Sequence, residues 1–147
     1  MQPYRHILLA ADFSEHGKEV ADHAKDLAER YQAKLSVLHV VDNLPVTDSI
    51  YGPIIPFDVD ITEQLLKASK EKLDEIGERL GIPGKRRWVE VGSPKVEIVR
   101  VAEEEGVDLI ILGSHSRKGL GILLGSTASS VIHHAGCDVL AVRLKED

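Results

Sequence analysis

The sequence has one cysteine, Cys137, in 147 residues. It can therefore form no intrachain disulfide, and no zinc cluster can be assembled from cysteines. Aromatic residues are scarce, at 4%, which leaves too few rings to stack a run of unpaired bases. A basic excess is lacking too. Eighteen Lys and Arg are interleaved with 24 Asp and Glu, for a net charge of -6, whereas a nucleic-acid footprint needs a basic face. Long apolar runs are missing: stretches such as ILLAA and LIIL fall far short of the roughly 20 residues that span a bilayer. The opening segment, MQPYRHILLAAD, has no signal-peptide pattern, because its short apolar stretch meets Asp12 at once. A cytoplasmic protein without membrane insertion or nucleic-acid binding is the expectation.

What is present is an ordinary globular balance, 43% hydrophobic and 29% charged, in a length that suits one domain spanning residues 1–147. Residues 5–11, RHILLAA, form an apolar strand ending at Asp12. Ser14 is a candidate cap for a helix carrying Val20, Ala24, Leu27, Ala28 and Tyr31 at helical spacing. Residues 34–41 form a second buried strand. Residues 42–60, with Pro45, Gly52, Pro53 and Pro56, form the longest irregular stretch. A helix follows from about Ile61 to Leu80, stopped by Gly81 and Pro83. RRWVEV (86–91) is an alternating strand, Ser93-Pro94 opens a helix ending near Gly106, and DLIILG is a fourth strand. Ser126 to Ala135 is a short helix and residues 137–144, CDVLAVRL, a last strand.

Strands alternating with helices imply an α/β fold, a five-stranded parallel doubly wound sheet in the order 3-2-1-4-5 with helices on both faces. Between the first and fourth strands the helices depart to opposite faces, which leaves a crevice at the carboxyl ends. Asp12 leaves one of these strands and Gly113 the other. The loop GSHSRKGLGILLGST (113–127) carries four glycines. Its backbone N–H groups and the start of the following helix suit an anion, and Ser126 and Thr127 add hydroxyls. Two readings stay open at this level, a phosphate cradle and a turn that binds nothing. Asp12 repels phosphate, so it accepts from a ribose hydroxyl, holds a divalent cation, or only caps the helix start. The sequence has no GxxxxGK[ST] loop and no GxGxxG after the first strand, which argues against a Walker site and a dinucleotide.

HILLAADFS, LHVVD and GSHS…GST followed by CDVLAVR make the chain similar to the universal stress protein family over essentially its whole length. The resemblance implies a Rossmann-like adenine-nucleotide-binding fold. In the nucleotide-binding branch ATP lies in the crevice, and homodimers form through the last strand. It further implies that Ala11 and Asp12 sit by the ribose and any Mg²⁺ or Mn²⁺ carried on the phosphates, and that Val40 meets adenine through its backbone. Leu112, Gly113, His115 and Ser116 would line the floor, with Gly125, Ser126 and Thr127 on the phosphates of ATP, or of ADP or AMP. There are two departures from that branch. Ser116 stands where its motif has a second glycine, and the eight residues between Ser116 and Gly125 are fewer than its usual spacer. The branch that binds no ATP lacks the glycines, whereas this chain keeps Gly113 and Gly125-Ser126.

Other candidates read more plainly. His39 is expected as a hydrogen-bonded core histidine rather than a ligand. His133 and His134, adjacent on a helix, point apart and share no metal. Arg117 and Lys118 either approach a triphosphate or face solvent. Cys137 is structural. No catalytic set is evident: Ser126 has no identifiable base and nothing links Asp12 to an attacking water, so any ATP hydrolysis is expected to be slow. Three functions follow: an ATP-binding dimeric module of the stress response, a dimeric interaction protein without nucleotide, and a weak ATPase. The last strand, 137–144, has no proline and no later strand to cover it, so its open edge is expected to pair with a second copy.

Ser116 supports a first prediction. If its position is left-handed, a non-glycine costs roughly 1–2 kcal/mol, about ten-fold in affinity; if the glycine serves close approach, a Cβ blocks the phosphate. On either reading Ser116→Gly leaves ATP binding unchanged or tightens it, up to about ten-fold in the strained case. A clear loss in calorimetry would make the Ser116 hydroxyl itself a ligand.

Overall fold

The computed structural model describes residues 3–42, 57–114 and 125–143, with the backbone alone for 57–62. The elements run β1 (His6–Ala10), α1 (Gly17–Tyr31), β2 (Lys34–Asp42), α2 (Phe57–Leu80), β3 (Arg87–Gly92), α3 (Pro94–Glu104), β4 (Leu109–Gly113), α4 (Ser126–His134) and β5 (Asp138–Val142). A short 3-10 turn, Gly84–Arg86, precedes β3. All neighbouring strands are parallel, in the order β3-β2-β1-β4-β5. This is the doubly wound arrangement expected from the alternation of elements.

Side-chain alternation along β1 explains the layering. Ile7 and Leu9 join Leu35, Val37, Leu109 and Ile111 against Val20, Ala21, Ala24 and Ala28 of α1 and Leu73 and Leu80 of α2. Leu8, on the other face, joins Leu38, Val40, Ile110 and Leu112 against Ile98, Val101 and Ala102 of α3 and Ala128 and Val131 of α4. Ile7, Leu8 and Leu9 are 0%, 0% and 1% exposed. Burying each contributes roughly 1.5–3 kcal/mol, a gain realised only when both faces are covered. Trp88, among polar neighbours in sequence, packs against the second of these clusters.

Helix ends steer the chain back into the sheet. α2 closes at Gly81, φ +73°. The Gly81 N–H donates to the Glu78 carbonyl (3.3 Å) and the Ile82 N–H to the Gly77 carbonyl (2.8 Å), the paired bonds of a left-handed helix stop. Ile82 is 1% exposed, so this reversal delivers the chain directly to the core. Inside α2, Gly77 is explained by a neighbour: a Cβ there would lie 2.1 Å from Arg87 Nε. The Arg87 guanidinium occupies that space, donating to the Ile82 carbonyl (2.7 Å) and reaching Asp74 and Glu78 (both 3.3 Å).

Three sequence expectations need correction. Ser14 does not cap α1; the helix begins at Gly17 with His16 as N-cap and no side-chain cap bond. The Ser14 N–H instead donates to Asp12 Oδ1 (3.0 Å) and the Ser14 carbonyl accepts from Gly17 N–H (2.9 Å), a local turn that outcompetes the cap. α2 begins at Phe57, directly after Pro56 and inside the stretch expected to be irregular; residues 43–56 lie outside the described residues. β5 begins at Asp138 and ends at Val142, one residue after and two before the expected limits.

At the amino end of the sheet a polar knot is buried. His6 is 5% and Ser36 0% exposed. The His6 Nδ1–H donates to the Glu105 carbonyl (3.1 Å), and Nε2 accepts from the Ser36 hydroxyl (2.6 Å). Asp108 receives the N–H groups of Arg5 (2.9 Å) and His6 (3.1 Å) on its two carboxylate oxygens. Burial, reinforced by Lys34, holds the His6 imidazole below its ordinary value of 6.5. The unfolded chain therefore binds a proton more readily than the folded one. The His6 contribution is complete where both states are neutral, above about 6.5, and is lost as pH falls below it. Urea unfolding should thus show stability dropping between about pH 7.5 and pH 5. His6→Gln should be less stable at neutral pH but show a shallower decline. An unchanged slope would discount His6 as the cause.

Candidate functional site

β1 and β4 lie side by side at the centre of the sheet, with Leu9 opposite Ile111. Asp12 leaves β1 and Gly113 ends β4, so both sit at the same carboxyl edge. The helices belonging to the two strands cover opposite faces, which is the geometry of a crevice at a topological switch point.

The glycine-rich loop starts and ends at this edge. The Ser114 N–H donates to the Val142 carbonyl of β5 (2.9 Å), and the Gly125 N–H donates to the Ser114 carbonyl (3.1 Å). These bonds bring Gly113–Ser114 and Gly125–Thr127 together although ten residues of sequence separate Ser114 from Gly125. His115 and Ser116, with 117–124, lie outside the described residues. Gly125 is the N-cap of α4 with φ −60° and ψ 152°, a conformation open to any residue, and it is buried. Among the described residues no side chain caps α4, and the first-turn N–H groups of a helix have no intrahelical acceptors. They carry the partial positive charge that favours an anion. Ser126 is exposed and Thr127 half-buried there.

Of the other expected site residues, Val40 and Leu112 are 8% and 4% exposed, with side chains in the core facing α3 and α4. Only their backbones remain for a ligand at the sheet edge. Ala11 is half-buried and Asp12 exposed. Ala11 donates its N–H to the Leu38 carbonyl (2.8 Å), and its own carbonyl accepts from His39 Nδ1–H (2.6 Å). The reading of His39 as a hydrogen-bonded histidine holds, and the bond puts it at the crevice rim.

Two features of this rim were not anticipated. Phe13 has φ +60°, a left-handed conformation that costs a non-glycine residue roughly 1–2 kcal/mol. Its ring stacks on His39, with centroids 3.9 Å apart and planes 27° apart, a contact worth roughly 0.5–1.5 kcal/mol beyond burial. Lys72 of α2 stands 5.7 Å from the Phe13 ring centroid. Burial is the main reason the His39 imidazole titrates below its ordinary range; the Ala11 carbonyl and Asp12 oppose that shift, and Lys72 adds to it. A polar ring near the end of an apolar strand was the available signal for His39. A phenylalanine gives no hint of positive φ.

The donor set fits an adenine nucleotide in kind: backbone N–H groups and hydroxyls at the start of α4, a carboxylate at Asp12 and strand-edge backbone at Val40. Among the described residues no group of three or more His, Cys, Asp or Glu could hold a metal ion. A divalent cation would accordingly depend on a nucleotide's phosphates for most of its ligands.

A parallel α/β domain wound in two directions from a central strand, with a glycine loop returning to the edge of that strand's neighbour, defines the class. Residues 3–143 match the universal stress protein family, and the chain belongs to that family. It is 39% identical over 146 residues to universal stress protein A homolog 2 of Coxiella burnetii, covering 99% of both chains. It is 32% identical over 156 residues to universal stress protein MJ0577 of Methanocaldococcus jannaschii, covering 97% of this chain and 96% of that one. The solved structure of MJ0577 superposes with a TM-score of 0.82 over 99% of this chain and all of that one. A universal stress protein solved in complex with cAMP shares the fold at a TM-score of 0.64, with 22% identity, over 97% of this chain and 98% of that one.

Proposed function

We propose that this chain is an adenine-nucleotide-binding, homodimeric module of the stress response that holds ATP, with Mg²⁺ or Mn²⁺ on its phosphates, in the crevice between β1 and β4. The observation that carries the reading is the Gly125–Ser114 bond. It returns the glycine loop to the edge that Asp12 leaves, with the uncapped start of α4 beside it. In this reading the Asp12 carboxylate accepts from ribose hydroxyls, with Ala11 beside it. The Val40 backbone meets the adenine edge. Leu112 and Gly113, continued by His115 and Ser116, form the floor. The N–H groups and hydroxyls of Gly125, Ser126 and Thr127 hold the phosphates. The cation neutralises phosphate charge. The cAMP complex of the fold relative is compatible with an adenine ligand in this family.

A cytoplasmic setting agrees with the single cysteine, and among the described residues no helix is long and apolar enough to cross a membrane. The protein acts through nucleotide-dependent conformation or a partner rather than through turnover, because no base is paired with Ser126 or Thr127 among the described residues.

Calorimetry with ATP and Mg²⁺ should register binding, and Asp12→Ala should weaken it about ten-fold, the loss of one charged hydrogen bond. Absence of both heat and a thermal shift at millimolar ATP would reject the nucleotide and leave a dimeric interaction protein.

The dimer rests on β5. It pairs with β4 on one side, and no strand among the described residues covers the other. Val139, Leu140 and Ala141 are half-buried, a row of apolar side chains beside open backbone groups. Two copies can pair antiparallel about a two-fold axis. Light scattering should give about double the 16.1 kDa chain mass. Ala141→Pro, which removes a ladder donor, should return the monomer. A wild-type monomer at tens of micromolar would mean that Arg143, Lys145, Glu146 and Asp147 guard the edge.

A further inference from the structure

We propose that His39 is the positioning residue of the crevice, holding the Ala11–Ser14 turn in the one shape that presents the Asp12 carboxylate. The proposal rests on the nucleotide reading for its functional consequence, though not for its structural content.

Asp12 stands between two residues that His39 grips. On one side the imidazole Nδ1–H donates to the Ala11 carbonyl at 2.6 Å; on the other the imidazole face stacks on Phe13. The Ala11 peptide is also tied through its N–H to Leu38. Consecutive residues of β2 therefore clamp the exit of β1 from both of its backbone groups. Phe13 is held left-handed at φ +60°, and such outliers persist only where the surroundings over-determine them. Lys72 adds a cation near the Phe13 ring. The carboxylate is then fixed within the turn by the Ser14 N–H on Oδ1 (3.0 Å). An apolar side chain would fill the half-buried space of His39 equally well. What it could not supply is a donor for the Ala11 carbonyl.

The role separates from simple stability. His39→Leu removes the donor and the ring; His39→Asn keeps an N–H close to the Nδ1 position. In ligand-free protein, the backbone carbon shifts of Phe13 report its left-handed conformation. They should persist in wild type and His39→Asn and disappear in His39→Leu while the sheet resonances remain. In calorimetry His39→Leu should lose about ten-fold in ATP affinity. An ATP analogue lacking both ribose hydroxyls should bind wild type and His39→Leu alike. His39→Asn should stay within about three-fold of wild type for ATP. Should His39→Leu fail to fold, His39→Gln replaces it, since its amide reaches past the Nδ1 position and the same losses are expected.

Left-handed Phe13 shifts retained in the folded disrupting variant would overturn the proposal, as would equal losses for ATP and the analogue. If wild type binds no ATP, the nucleotide reading falls, and the Phe13 shifts alone decide whether His39 sets the turn.

Discussion

β1 has no face left for water. Ile7 and Leu9 are buried under α1 and α2, and Leu8 is buried under α3 and α4. A strand apolar on both sides must be covered on both sides, and right-handed crossovers allow this only if the chain winds one way from β1 and then returns to wind the other. The reversal falls between β1 and β4. The crevice is a by-product of the same requirement: where two crossovers diverge, neither helix fills the gap at the carboxyl edge. The location of the crevice follows from the burial of three residues.

The two ends of that sheet have been given opposite tasks. At the amino end, His6, Ser36, Asp108 and the Glu105 carbonyl satisfy one another. Among the described residues no buried side-chain polar atom lacks a partner. This end closes the core and holds the entering strands in register. At the carboxyl end, backbone donors at the start of α4 have no side-chain cap among the described residues, and the exit of β1 turns through left-handed Phe13, stacked on His39. Polar capacity is used up where the fold is shut, at the amino end.

Much of this was legible in the sequence because it depends on patterns that repeat. Strand order followed from alternation of apolar runs and helical spacing, and the switch point followed from strand order. The glycines at 113 and 125 and the hydroxyls after them marked the loop's two feet. What escaped was set by single contacts. Ser14 looked like a helix cap, but its N–H is taken by Asp12 two residues earlier, which delays α1 to Gly17. α2 starts at Phe57, four residues before the expected Ile61 and directly behind Pro56. The left-handed Phe13 carries no sequence mark, since the ring it stacks on lies on another strand. Gly77 drew no reading from the sequence, and its reason lies in Arg87, whose guanidinium crosses the space a Cβ would take.

The bond from Gly125 to Ser114 divides the chain in a way that strand counting does not. Once those two residues are joined, the end of β4 and the start of α4 are fastened to each other like the two halves of a clasp. Both atoms of that fastening belong to the backbone, so the side chains at either foot can change without removing it.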